Sequence, residues 1–148
     1  MSDFTPSQTV GPFFGFALPF PGGAEVAEAG PGTRRLEGQL LDGAGEPVPD
    51  GLIEIWHRER FGRCRTDAEG LFHFTLPPAP HYNVYVFARG LLRHLVTRVY
   101  LPGGSDASLE RVPPERRATL VAGEDGGTLR WDIRLQGDRE TVFFEPVP

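Results

Sequence analysis

The stretch Asn83–Tyr100, NVYVFARGLLRHLVTRVY, limits what this chain can fold into more than any other. Val84, Val86 and Ala88 alternate with Asn83, Tyr85, Phe87 and Arg89. That period of two, carried by β-branched and aromatic residues, predicts a strand. Gly90 marks a turn, and Leu95–Leu101 predicts a second strand. Arg89 falls at a strand end beside a glycine, a residue that lets another chain or a ligand come close.

Other strands arrive at short intervals. Arg35–Leu41, Leu52–Trp56 and Leu71–Leu76 each read as strands, with turn-rich DGAGEPVPDG between the first two. RFGRCRTDAEG reads as loop and turn, with Asp67 and Gly70 as turn residues. PPERR predicts a short helical turn begun by proline, and EDGG at 124–127 a hairpin connection. Thr128–Gln136 alternates most cleanly, with Leu129, Trp131, Ile133 and Leu135 inward, and Thr141–Phe144 closes the chain. Nineteen glycines and 15 prolines, with 39% hydrophobic residues, fit many short strands and turns. The expected fold is an all-β, antiparallel β-sandwich of seven or eight strands. A chain of 148 residues suits a single domain, with residues 1–34 as an N-terminal arm and 35–148 as the sandwich.

The arm has neither period. It carries Phe13, Phe14, Phe16 and Phe20 among Pro12, Pro19, Pro21 and glycines. Four rings without regular structure must pack on the domain itself or on another subunit, because a soluble monomer rarely tolerates such a patch. A net charge of −5 argues against a nucleic-acid partner, and no apolar run approaches the ~20 residues of a membrane span. All fifteen basic residues are arginine, which we attribute to codon usage. One cysteine, Cys64, rules out an internal disulfide and a cysteine-based zinc site, and reads as a small buried hydrophobe. The start, MSDFTPSQTV, lacks the charged region of a signal peptide, so the expected location is cytoplasmic.

Five blocks in order, TPSQTVGPFF, EIW, FGR, VFARGLLRHLVTRVY and DIRLQGDRETVFFE, resemble the intradiol ring-cleavage dioxygenases, and within them the non-metal subunit type. The resemblance covers residues 5–145. It implies a sandwich that assembles with an iron-bearing β subunit, which holds Fe(III) by two tyrosines and two histidines. It implies cleavage of protocatechuate by O2 to 3-carboxy-cis,cis-muconate at a site between subunits. Relative to the family this chain is short between Trp56 and Phe61, where an insertion with substrate contacts is usual.

Ferric iron is hard and suits phenolates and imidazoles. The family's H-x-H positions align with Asn83 and Tyr85, or, shifted by two, with His81 and Asn83. At most one histidine is present either way, and no tyrosine precedes Tyr82. His57, His73 and His94 lie on other elements. This chain is therefore expected to carry no metal and no catalytic residue. Tyr82, Tyr85 and Tyr100 read as strand aromatics whose hydroxyls find local partners. By resemblance Arg89 reaches toward the substrate carboxylate, a role an arginine fork suits. The plainer alternative for Arg89 is a surface or structural ion pair, and Arg98 is its rival. Thr9, Gly11 and Pro12 are expected to line the substrate pocket, although TPSQT is also a good turn sequence. A sandwich that binds without catalysis, a self-sufficient metal enzyme and a transthyretin-like hydrolase are the competing functions.

Overall fold

A computed structural model describes residues 8–145. Among these residues nine strands are present: β1 Arg34–Leu41, β2 Leu52–His57, β3 Arg60–Arg65, β4 Leu71–Leu76, β5 His81–Phe87, β6 Leu95–Tyr100, β7 Gly123–Asp125, β8 Thr128–Arg130 and β9 Ile133–Arg134. Two short helices, α1 Phe14–Ala17 and α2 Ala107–Arg111, and a 3₁₀ helix Pro114–Leu120 complete the elements. The first sheet runs β4-β1-β8-β7 with β9 also on β1, and the second runs β3-β2-β5-β6. Their inner faces meet in one core, where Leu36, Phe74, Leu129 and Ile133 of the first sheet pack with Ile53, Ile55, Val84 and Val86 of the second. This is the all-β sandwich expected.

Pairing is antiparallel except where β1 meets β8 and β9, which run parallel to it. Thr128–Gln136 is therefore not one continuous strand. It stays in register with β1, from Leu36↔Leu129 to Leu40↔Ile133, but breaks at Trp131–Asp132. There Gln39 N donates to the Asp132 carboxylate at 3.0 Å instead of to backbone. A Cβ on Gly38 would stand 1.8 Å from the Trp131 carbonyl oxygen, so only glycine admits this approach. The β7–β8 hairpin turns on Gly126 and Gly127, both at positive φ, as the EDGG segment predicted.

RFGRCR forms β3 rather than a loop. Its apolar period is hidden because Gly62 stands opposite Ile55, where a side chain would strike Val26 Cγ2 at 2.6 Å. The arm closes this edge of the sandwich. Arg63 N donates to Gly23 O at 2.7 Å, while Thr75 N and Val26 N exchange bonds with Ala24 O and Thr75 O. One segment thus ties β3 of one sheet to β4 of the other and covers both edges. At the opposite edge, β6 receives Phe144 N at Val96 O and Ala122 N at Tyr100 O. Thr141–Phe144 is an isolated bridge of this kind and not a strand.

Candidate functional site

The alternation that buries Tyr82, Val84, Val86 and Ala88 turns His81, Asn83, Tyr85, Phe87 and Arg89 to the outer face of the second sheet. Register brings Trp56 beside Asn83, Glu54 beside Tyr85 and Arg98 beside Asn83. Trp56, Tyr85, Phe87 and His94 make a partly exposed aromatic band, with ring centroids 5.2–6.5 Å apart along it. Phe61 extends the band to Phe20 of the arm.

Arg63 fastens the arm to this face. Its Nε and Nη2 donate to Glu54 Oε1 at 2.9 and 2.5 Å, and its Nη1 to Leu18 O at 2.8 Å. The same guanidinium lies over the Phe20 and Phe61 rings. Phe14 is buried, so the arm does pack on its own sandwich in part. Phe13 and Phe16 remain 66% and 67% exposed, however, and Phe20 45%. Among the described residues, Phe13 and Phe16 stay mostly open, while Phe20 is covered on one side by Phe61 and Arg63.

Thr9 lines a recess of about 360 Å³ with Val10, Phe87, Ala88, Leu92 and His94. Gly11 and Pro12 are exposed and take no part in its wall. Arg89 lies just past the end of β5, where its Nε donates to Asp50 Oδ2. Its side chain is 67% exposed. Gly90 has φ +89° and no atom near its missing Cβ, so its use here is the turn from Ala88 to Leu91. Asp50 falls in the turn-rich segment DGAGEPVPDG, whose composition points to no partner for it. The signal that finds it is register, because the ladder Leu52↔Phe87 extended by two residues sets Asp50 opposite Arg89.

At the other end of the face, Arg98 donates from Nε to Asn83 Oδ1 at 2.8 Å and from Nη1 to Asp106 Oδ2 at 2.6 Å. Asp106 Oδ1 accepts from the Tyr100 hydroxyl at 2.7 Å and caps α2 through Ser108 N and Leu109 N. Burial pushes the Asp106 carboxyl up, but the hydrogen bonds from Tyr100 and α2 and the Arg98 charge outweigh it, and it sits below the usual range. Burial, then the bond to Asp106, raises the Tyr100 phenol. His81 Nδ1 is buried without a hydrogen-bond partner among the described residues, 3.7 Å from Asp106 Oδ2, and burial followed by Arg98 lowers its pKa. Tyr82 donates to Pro77 O at 2.7 Å and burial pushes its pKa up to about 12. Cys64 is half-buried, and burial raises its thiol.

This donor set does not fit a ferric ion. A guanidinium already stands between Asn83 and Asp106, and two of the three tyrosine hydroxyls are held protonated as donors to oxygen. Among the described residues, no three His, Cys, Asp or Glu side chains are grouped to hold a metal. No helix among them is long and apolar enough to cross a membrane. The outer face offers aromatic surface, arginines and hydrogen-bonding groups, the means to bind and orient.

No family model matches the chain. Among solved structures, the dioxygenase domain of a dioxygenase–carbohydrate-binding fusion from Streptomyces sp. SirexAA-E is 22% identical, with a TM-score of 0.58 over 91% of this chain and 99% of that one. Hydroxyquinol 1,2-dioxygenase from Pseudomonas putida DLL-E4 is 18% identical, with a TM-score of 0.56 over 76% of this chain, which spans 59% of that longer protein. The fold is thus that of the intradiol dioxygenases. Sequence narrows it further. The protocatechuate 3,4-dioxygenase alpha chain of Burkholderia cepacia is 36% identical over 190 aligned positions, covering 95% of this chain and 96% of the relative. That of Pseudomonas putida is 35% identical over the same shares of each. The chain belongs to the protocatechuate 3,4-dioxygenase alpha-chain family and is a dioxygenase subunit. An alignment longer than the 148 residues here means that the relative carries segments without a counterpart. In this chain β2 and β3 are joined by Arg58 and Glu59 alone, with Arg58 at φ +55°, where the resemblance placed the missing segment.

Proposed function

We propose that this chain is the non-metal alpha subunit of a hetero-oligomeric intradiol dioxygenase, which cleaves protocatechuate with O2 to 3-carboxy-cis,cis-muconate. The observation that carries this reading is the match to two alpha chains across 95% of its length. The unsuitability of the outer-face donors for iron supports placing Fe(III) on a partner beta subunit. Bound there, the metal would supply the activation of the catechol ring toward O2. The three exposed arm phenylalanines support a partner at this face, since a monomer rarely leaves such a patch open.

This chain's part is to bind and orient. A carboxylate entering a closed pocket loses its water, and an arginine replaces those hydrogen bonds with charge-assisted ones. Arg89 is the residue we assign to that carboxylate. Thr9, beside Phe87 in the recess, and Gly11 and Pro12 just beyond it on the arm, are assigned to the pocket wall once the partner closes over them. The chain is assigned to the cytoplasm, where its lone free thiol stays reduced.

The test is co-expression with a beta-like chain, purification, an absorption spectrum and oxygen uptake on protocatechuate. A coloured, active complex and a colourless, inactive single chain are expected. Colour and activity from this chain alone would overturn the assignment of iron to the partner. In the complex, Arg89→Ala should lower the preference for protocatechuate over catechol, as a ratio of kcat/KM, by about thirtyfold, equivalent to about 2 kcal/mol. Equal losses on both substrates would remove the carboxylate role.

A further inference from the structure

We propose that Asp50 is a positioning residue for the substrate carboxylate, acting through Arg89; this rests on the role given to Arg89 above. Asp50 and Arg89 face each other because each lies two residues beyond the last β2–β5 pair, Leu52↔Phe87, on the outer face of the sheet. A guanidinium offers five N–H donors in one rigid plane. Asp50 Oδ2 takes the Nε donor, which fixes that plane and leaves the edge formed by Nη1 and Nη2 for a second carboxylate. That edge is the pair of parallel donors a benzoate-type carboxylate matches bidentately.

The two partners are unequally anchored. Arg89 is 67% exposed and reaches out, whereas Asp50 is 24% exposed and stands at the base. Asp50 is the fixed member and Arg89 the one it orients. An unheld arginine would sample many rotamers and lose that freedom when substrate binds. Holding Nε in advance confines it before the substrate arrives. Asp50 makes no contact with substrate in this arrangement, and its effect belongs to binding rather than to ring cleavage.

The experiment uses the assembled enzyme with Asp50→Ala, Asp50→Asn, Arg89→Ala and the Asp50→Ala/Arg89→Ala double variant, and protocatechuate as probe. Asp50→Ala should raise KM about tenfold with a much smaller change in kcat. Asp50→Asn, which keeps an acceptor oxygen for Nε, should recover most of that loss. In the Arg89→Ala background, Asp50→Ala should add nothing, because there is no guanidinium left to orient. An Asp50→Ala cost that persists in that background would make Asp50 a structural residue and overturn the proposal. So would an unchanged or lowered KM for Asp50→Ala beside a damaged Arg89→Ala. If Arg89→Ala itself leaves the protocatechuate-to-catechol ratio intact, the parent assignment fails, and that result is separate from either outcome at Asp50. Should Asp50→Ala not assemble, Asp50→Glu carries the test, since it keeps the charge but moves the accepting oxygens by one methylene. Its KM should rise while that of Asp50→Asn stays near that of the unaltered enzyme, and an unchanged KM for Asp50→Glu would count against the proposal.

Discussion

Replacing Asp106 by alanine removes three interactions that meet on one carboxylate. The first is the N-cap of α2, with Ser108 N and Leu109 N at 2.9 and 3.1 Å from Oδ1, and losing such a cap costs ~1 kcal/mol. The second is the acceptor of the Tyr100 hydroxyl. Tyr100 is fully buried, and stranding its O–H adds about 1–2 kcal/mol. The third is the pair with Arg98. Both side chains are roughly a quarter exposed, at 26% and 28%, so solvent screening holds that contribution to ~0.5 kcal/mol. The sum is about 3 kcal/mol, or roughly 9 °C in Tm for a chain of this size. Asparagine keeps an oxygen for the cap and for Tyr100 and should cost only about 1 kcal/mol. Urea unfolding followed by the fluorescence of Trp56 and Trp131 measures both variants. If Asp106→Asn is as damaging as Asp106→Ala, charge dominates and the hydrogen-bond account is wrong. If Asp106→Ala costs less than about 1 kcal/mol, the cluster does not hold β6 to α2 as described.

Other perturbations separate parts of the fold. Gly38→Ala drives a methyl into the Trp131 carbonyl and should destabilise by more than about 4 kcal/mol, seen as loss of soluble protein or of the unfolding transition. His81 has a folded pKa below its ordinary 6.5, so the unfolded chain binds the extra proton more readily. Its contribution is complete above 6.5 and is lost as pH falls through the lower folded value. His81→Gln should flatten that part of the acid dependence of the unfolding midpoint, and equal slopes in both proteins would refute the assignment. Phe13→Ser with Phe16→Ser should leave the unfolding of the chain within about 0.5 kcal/mol, because both rings are exposed, yet weaken co-purification with the partner. An undiminished complex would reduce these rings to surface.

The period of two made β1, β4, β5 and β6 legible in the sequence, because each buries one face and exposes the other to solvent or to a thin cover. β3 was not legible. Its glycine at 62 and arginines at 60, 63 and 65 follow the demands of the arm packed against it, a tertiary fact with no local periodicity. The Thr128–Gln136 alternation was real, yet it hid the break at Trp131–Asp132, which exists because Gly38 lets a carbonyl approach from another strand. At the site, alternation placed Arg89 on the outer face, and the resemblance, aligned on Arg89-Gly90, left the H-x-H positions without a histidine pair. Asp50 and Asp106 escaped because their partners lie 39 and 8 residues away, at distances set by register and by a loop.

The two sheets also differ in when they become possible. Every pairing within the second sheet joins residues between Leu52 and Tyr100. The first sheet needs Leu36 to meet Leu129, a pairing open only once residue 129 has been made. During synthesis the face that carries Arg89 can therefore form while β1 still waits for its parallel neighbours. The sheet assigned to the substrate is the earlier one, and the sheet that backs it is completed after it.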